Sequence, residues 1–161
     1  MKQAVTHYRR LATARYTLVC MACFVFVGAC GGPEAGPDEQ LRQWVSRGEE
    51  AAEAKERRAL IGMISPDYAD TRGNERSDIE KILRAYFFRQ SGISLLINID
   101  DIRVIADSAA EIELTVGMAG QNDGVFGFSA DAYRFEMELI REGNDWLLIS
   151  ARWGELGEEL R

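Results

Sequence analysis

Apolar residues recur at helical spacing through residues 39–64 and at every second position from residue 93, so the chain reads as helices first and strands afterwards. Leu41, Trp44, Val45, Gly48, Ala51 and Ala52 make one stripe, with Asp38 placed as an N-cap. Arg42, Arg47, Glu49, Glu50 and Glu53 read as the solvated face of that helix. A shorter group, Leu60, Ile61, Met63 and Ile64, stops at Ser65-Pro66, because proline disfavours helical backbone in the residue before it. After a polar connection containing Pro66, Asp70, Gly73 and Asn74, Ser77 and Glu80 have the spacing of a capping box. Ile79, Ile82, Leu83, Tyr86 and Phe87 follow as the apolar face of a further helix.

From Ile93 the period becomes two. Ile93, Leu95, Ile97 and Ile99 share one face, then Ile102 and Val104 resume the alternation one step out of phase, which predicts a bulge or sharp bend at Asp100-Asp101. Ala110, Ile112, Leu114, Val116 and Met118 make a second strand, and Tyr133, Phe135, Met137 and Leu139 a third. Residues 146–153 return as a fourth after the turn at Glu142-Gly143-Asn144. On that last strand simple alternation puts Arg152 on one face with Trp146, Leu148 and Ser150, opposite Leu147, Ile149, Ala151 and Trp153, without saying which face is concave. Residues 155–161 read as a charged tail that frays.

The first 29 residues follow a different plan. Lys2, Arg9, Arg10 and Arg15 precede fourteen uncharged, mostly apolar residues (16–29), and Cys30-Gly31-Gly32-Pro33 ends the apolar run. Fourteen residues are too few for a helix that spans a bilayer, which needs roughly 20. Val27-Gly28-Ala29-Cys30 resembles a bacterial lipoprotein signal, with an aliphatic residue, two small residues and the cysteine to be acylated. The resemblance implies cleavage before Cys30, a lipidated Cys30, a flexible tether over residues 30–38 and a single domain over residues 39–154. Gly31 after the cysteine implies the outer membrane, with the domain facing the periplasm.

Composition then narrows the chemistry. Four of the 19 basic residues and none of the 26 acidic ones lie in the leader, so its removal takes the net charge from −7 to −11. Nucleic acid is a poor partner for such a surface, since its affinity rests on Lys and Arg neutralising phosphates, and the acyl chains become the expected membrane contact. The only histidine, His7, and both other cysteines, Cys20 and Cys23, leave with the leader. A histidine-based triad or a Cys/His zinc site is thereby excluded from the remaining 132 residues, and neither cofactor nor metal is expected.

The order of helices and strands is that of an α+β fold, helices packed on a strongly bent antiparallel four-stranded sheet. Three stretches resemble the nuclear transport factor 2-like superfamily, which includes ketosteroid isomerases and polyketide cyclases beside many non-catalytic members. They are Ile64-Ser65-Pro66-Asp67-Tyr68, Asp107-Ser108-Ala109-Ala110-Glu111, and residues 141–149 across the last hairpin. A cystatin-type curved sheet is the competing fold and normally carries fewer helices before the sheet. The resemblance implies a cone open at one end. In the isomerases of that superfamily a carboxylate abstracts a proton while a tyrosine and a protonated aspartic acid hold the developing oxyanion. The tyrosine of the first helix has no counterpart here, since Trp44 and Val45 occupy that part of the stripe.

Asp100 and Asp70 are the carboxylate candidates for such chemistry, and Tyr68, Tyr86, Arg152, Trp153, Phe126 and Phe128 the candidates for lining a ligand site. Phe126 and Phe128 belong to a glycine-rich turn that either packs under the sheet or forms an exposed apolar patch. Three readings stay open: a lipid-anchored, non-catalytic domain that binds an envelope protein or a small apolar molecule; a small isomerase, cyclase or dehydratase; and a purely structural spacer, which predicts neither cavity nor partner. Self-association through an exposed face is compatible with either of the first two.

Overall fold

The computed structural model describes residues 35–121 and 128–161. Three helices, α1 (Pro37–Glu53), α2 (Arg57–Gly62) and α3 (Arg76–Arg89), precede four strands, β1 (Gly92–Ala106), β2 (Ala109–Gln121), β3 (Phe128–Glu142) and β4 (Asp145–Glu155). The strands pair antiparallel in sequence order. The expected lipoprotein signal over residues 1–29, Cys30 and Phe126 lie outside the described residues, as does the side chain of Phe128, whose backbone opens β3.

α1 starts earlier than its apolar pattern suggests. Gly36 is the N-cap and Pro37 the first helical residue, where its missing N–H costs nothing. Asp38 lies in the first turn, and its carboxylate accepts from Arg42 Nε at 2.9 Å. The α3 cap also moves: Glu75, not Ser77, is the N-cap, and Asp78 accepts from the Glu75 N–H at 3.2 Å. In α1 the periodic pattern marks where the helix is buried and the cap precedes that point; in α3 the reciprocal bonds between Glu75 and Asp78 set the start.

The core lies between α1 and the concave face of the sheet. Leu41, Trp44 and Val45 of α1 pack against Ala110, Ile112, Leu114 and Val116 of β2, Leu139 of β3 and Trp146 of β4. Trp146 Nε1 donates to Gln40 Oε1 at 3.2 Å, tying β4 to α1. At the other end of α1, the Glu53 carboxylate accepts from the Leu95 N–H at 2.7 Å, and Lys55 Nζ donates to the Gln90 carbonyl at 2.9 Å. β1 is an edge strand, whose outward N–H groups need such partners. The β1–β2 register slips between Ile99 and Asp101, so Asp100 is the extra residue where the phase change places it.

A bulge in β4 escapes simple alternation. Glu138 faces Ser150 while Leu139 faces Leu148, leaving Ile149 as the extra residue, its carbonyl accepting from the Ala69 N–H at 3.1 Å. One extra residue reverses every later side chain. Trp146 and Leu148 therefore share the concave face with Ala151 and Trp153, while Ser150 and Arg152 are outside, which corrects the grouping of Arg152 with Trp146 and Leu148. The tail does not fray: the chain turns at Gly157 (φ 97°), and Trp153 and Arg161 exchange main-chain hydrogen bonds at 3.0 and 3.4 Å.

Candidate functional site

α3 differs from α1 in having no buried residue. Its N-terminal half is held by the Arg57–Glu80 ion pair and by Arg76, whose guanidinium donates twice to the Ile61 carbonyl at 3.2 and 2.8 Å. Towards its C-terminus Phe88 is 92% exposed. Ile79 and Leu83 face a cavity of about 280 Å³ instead of a filled core. α1 contributes Trp44, Val45, Gly48, Glu49 and Ala52 to its wall; Leu60, Met63 and Ile64 close one end; Leu95, Ile97, Leu114, Val116, Met118, Phe135, Met137 and Leu148 form the sheet side. An apolar cavity of roughly 150 Å³ is enough for benzene, so this one has room for about two fused rings.

Two polar groups in that wall are unpaired among the described residues. Trp44 is 7% exposed and its indole N–H meets no acceptor, unlike that of Trp146. Leaving a buried donor unmade costs about 1–3 kcal/mol. Glu49 is half-buried and is the one ionisable side chain lining the cavity. It belongs to the wall rather than to the solvated face expected of it, because it lies four residues after Val45 and three before Ala52, on the turn between two wall residues.

None of the described site candidates lines this cavity. Tyr68 and Asp70 are buried at the start of the α2–α3 connection, Tyr68 packing with Ile64, Ile79 and Ala151 behind the wall. Asp70 Oδ1 accepts from the Arg72 N–H (2.9 Å) and the Asn74 N–H (2.8 Å), and Oδ2 accepts from Asn74 Nδ2 (2.7 Å) and Tyr68 Oη (3.4 Å). Burial by itself would raise its pKa, but the bonds from Asn74, Arg72 and Tyr68 outweigh it and hold the carboxyl below its ordinary value. Tyr68 is pushed well above the ordinary tyrosine value by burial first and then by the Asp70 charge and hydrogen bond, so it stays a proton donor. The pair organises a turn, with no free lone-pair direction aimed at a ligand space.

Asp100 lies on the outer face of the sheet, accepting from Asn98 Nδ2 at 2.5 Å and Thr115 Oγ1 at 2.8 Å. Arg152 is on the same outer face and pairs with Glu136. Two more ion pairs, Arg134–Glu113 and Arg103–Glu111, complete a charged ladder across the strands. Tyr86 is half-buried with its ring 6.3 Å from Phe87, and burial followed by the Asp131 charge raises its pKa. Trp153 stacks on Phe135 at 6.2 Å and so supports the cavity wall from behind.

Trp153 also lines a larger, open cleft of about 750 Å³ with Arg72, Tyr133, Glu155, Glu158, Glu159 and Arg161. Its walls are already used by the fold. The Arg72 guanidinium lies 3.7 Å over the Trp153 ring and donates to the Trp153 carbonyl at 2.7 Å, while the tail main chain occupies the strand edge. The smaller apolar cavity is the better ligand site, since its surface is otherwise unsatisfied. Among the described residues no group of three His, Cys, Asp or Glu could hold a metal ion, and no helix is long and apolar enough to cross a membrane.

No protein-family model matches the chain. No curated protein matches it either. Solved structures do. A provisionally assigned scytalone dehydratase from Novosphingobium aromaticivorans superposes with a TM-score of 0.67 at 11% identity, over 73% of this chain and 83% of that one. A ketosteroid isomerase-like protein from Erwinia carotovora atroseptica gives 0.61 at 9% identity, over 74% and 96%. An NTF-2 like protein of unknown function from Shewanella oneidensis gives 0.58 at 13%, over 72% and 97%. At such identities the likeness speaks for architecture and not for activity, and with the observed topology it shows that the described chain has the nuclear transport factor 2-like fold, helices packed on a curved four-stranded antiparallel sheet.

Proposed function

We propose that this protein is a lipid-anchored envelope domain that binds a small apolar molecule, without turnover, between α3 and the sheet. The observation that carries the reading is the cavity of about 280 Å³ whose wall is apolar except for Trp44 and Glu49. Its one carboxylate has no hydrogen-bonded tyrosine or second acid beside it among the lining residues. The buried carboxylate that does have a tyrosine, Asp70, spends its lone pairs on a turn. General acid–base chemistry needs a group within hydrogen-bond reach of the substrate, and Asp70 is outside the wall.

A direct test titrates 2-(hydroxymethyl)naphthalene while recording methyl NMR spectra. Saturable shifts should appear for Ile97, Leu114 and Val116 and vanish in Ala52→Phe, which fills the cavity from α1; shifts scattered over the outer face, or none, refute the site. The anchor is tested separately by fatty-acid labelling of the full chain in a bacterial host, which should be lost in Cys30→Ser. Equal labelling refutes it.

A second reading, a small isomerase, cyclase or dehydratase, draws on Glu49 in the wall and on what the structural neighbours are said to be. It requires proton abstraction. Deuterium uptake at the α-carbons of 2-tetralone, accelerated by the native protein and not by Glu49→Gln, would favour it over binding alone.

A further inference from the structure

We propose that the cavity selects apolar molecules carrying a protonated amine, with Glu49 as the residue that sets this preference. The inference rests on the binding reading above and adds the ligand's charge to it. Glu49 makes no hydrogen bond or ion pair with any described residue; Asp38 is engaged by Arg42, Glu39 by Gln43 and Glu53 by the Leu95 N–H, while Glu50, likewise without a partner among the described residues, is exposed and lies outside the wall. It is half-buried at the margin of an otherwise apolar wall, and no lysine, arginine or histidine lines that wall. Among the described residues no cation is placed to supply its counter-charge.

The chemistry follows from amphipathic geometry. A molecule with a two-ring apolar body can fill the interior, while an ammonium group at the margin pairs with Glu49 and keeps part of its water. The rings of Trp44 and Phe135 line the same wall, and aromatic faces attract cations. A carboxylate ligand meets the reverse: the Glu49 charge repels it and no cation in the wall compensates. The overall negative charge of the chain, −7 for all 161 residues, favours the approach of cations as well.

The test compares three ligands with one naphthalene body: 2-(aminomethyl)naphthalene, 2-(hydroxymethyl)naphthalene and 2-naphthoate, titrated by calorimetry at pH 7 into the native chain and Glu49→Gln. The native protein should bind the amine roughly three- to tenfold more tightly than the alcohol, as expected of a partly solvated ion pair, and the naphthoate more weakly than both. Glu49→Gln should abolish the preference, bringing amine and alcohol to within about twofold of each other. Raising the salt from 0.05 to 0.5 M should shrink the preference without altering binding of the alcohol. Equal native affinity for amine and alcohol, or a preference that survives Glu49→Gln, overturns the role of Glu49 but leaves the cavity a binding site. Failure of all three to bind overturns the binding reading itself, and this proposal with it.

Discussion

Asp70→Ala isolates the claim that this buried carboxylate is structural. The side chain is 8% exposed and accepts four hydrogen bonds, two of them from the backbone of Arg72 and Asn74. Hydrogen bonds to a charged group contribute about 1.5–3 kcal/mol each in isolation. Here they do not add: the Tyr68 bond is long at 3.4 Å, and water can reach the part-buried donors of Arg72 and Asn74 once the carboxylate is gone. A loss of about 2–4 kcal/mol is therefore expected at pH 7, equivalent to roughly 6–20 °C in melting temperature for a domain of this size. Asp70→Asn keeps an acceptor for the two backbone N–H groups but turns an NH₂ towards other donors, so it should fall between. Because the folded pKa is depressed, the contribution is fully present above the unfolded value of about 3.9 and is lost as pH falls through the folded value. Urea unfolding of native and Asp70→Ala protein at pH 7 and at pH 3 measures this, and the gap between them should narrow at the lower pH. A gap below about 0.5 kcal/mol at pH 7, or one that widens towards pH 3, would refute the hydrogen-bond account.

Two further substitutions probe the cavity wall and the outer face. Gly48 is inside α1, and a Cβ there would meet only the flexible end of Met63, Cε at 3.4 Å; Gly48→Ala should stabilise the fold by about 0.5–1 kcal/mol through helix propensity, and thermal melting that shows a loss would mean that the α1–Met63 contact cannot yield. Arg152→Ala removes an exposed pair with Glu136, so it should change stability by less than about 1 kcal/mol. Naphthalene-ligand affinity in that variant should be unchanged, and a measurable drop would place Arg152 in the ligand site after all.

The architecture was legible because its signals are periodic. The 3.6-residue stripe of α1, the capping-box chemistry before α3 and the out-of-phase alternation at Asp100 each reappear in the structure, the caps displaced by two residues. The Gly36-Pro37 pair is itself a helix-start signal that the apolar stripe overshadowed. The Ile149 bulge left no such trace. Every residue from Trp146 to Ile149 is apolar, so alternation has nothing to count there, and the face of Arg152 was decided by an extra residue that only the pairing with β3 reveals. Asp70-Thr71-Arg72-Gly73-Asn74 did carry a local signal, since an aspartate two residues before a backbone N–H, followed by glycine and asparagine, favours an Asx-type turn. Reading it would have moved Asp70 from chemistry to architecture.

Glu49 shows how the site stayed hidden even where the geometry was available. A charged residue on an amphipathic helix is ordinarily assigned to water, and by residue type Glu49 belongs with Arg47 and Glu50. By position it stands one turn after Val45 and one before Ala52, at the edge of the stripe. The two criteria conflict, and such conflicts between local rule and global fold concentrate at functional sites. If the Glu49 carboxylate stood in water a Debye length or more from the ligand's charge, Glu49→Gln would leave each ligand's affinity as it was, because an interaction at that range is largely screened. If it belongs to the wall, the same single-atom change weakens binding of the charged amine and removes its advantage over the neutral alcohol while the helix, the cavity volume and the fold remain as they are. The helix position and the residue type thus make opposite forecasts for one isosteric substitution, and ligand charge is the variable that decides between them.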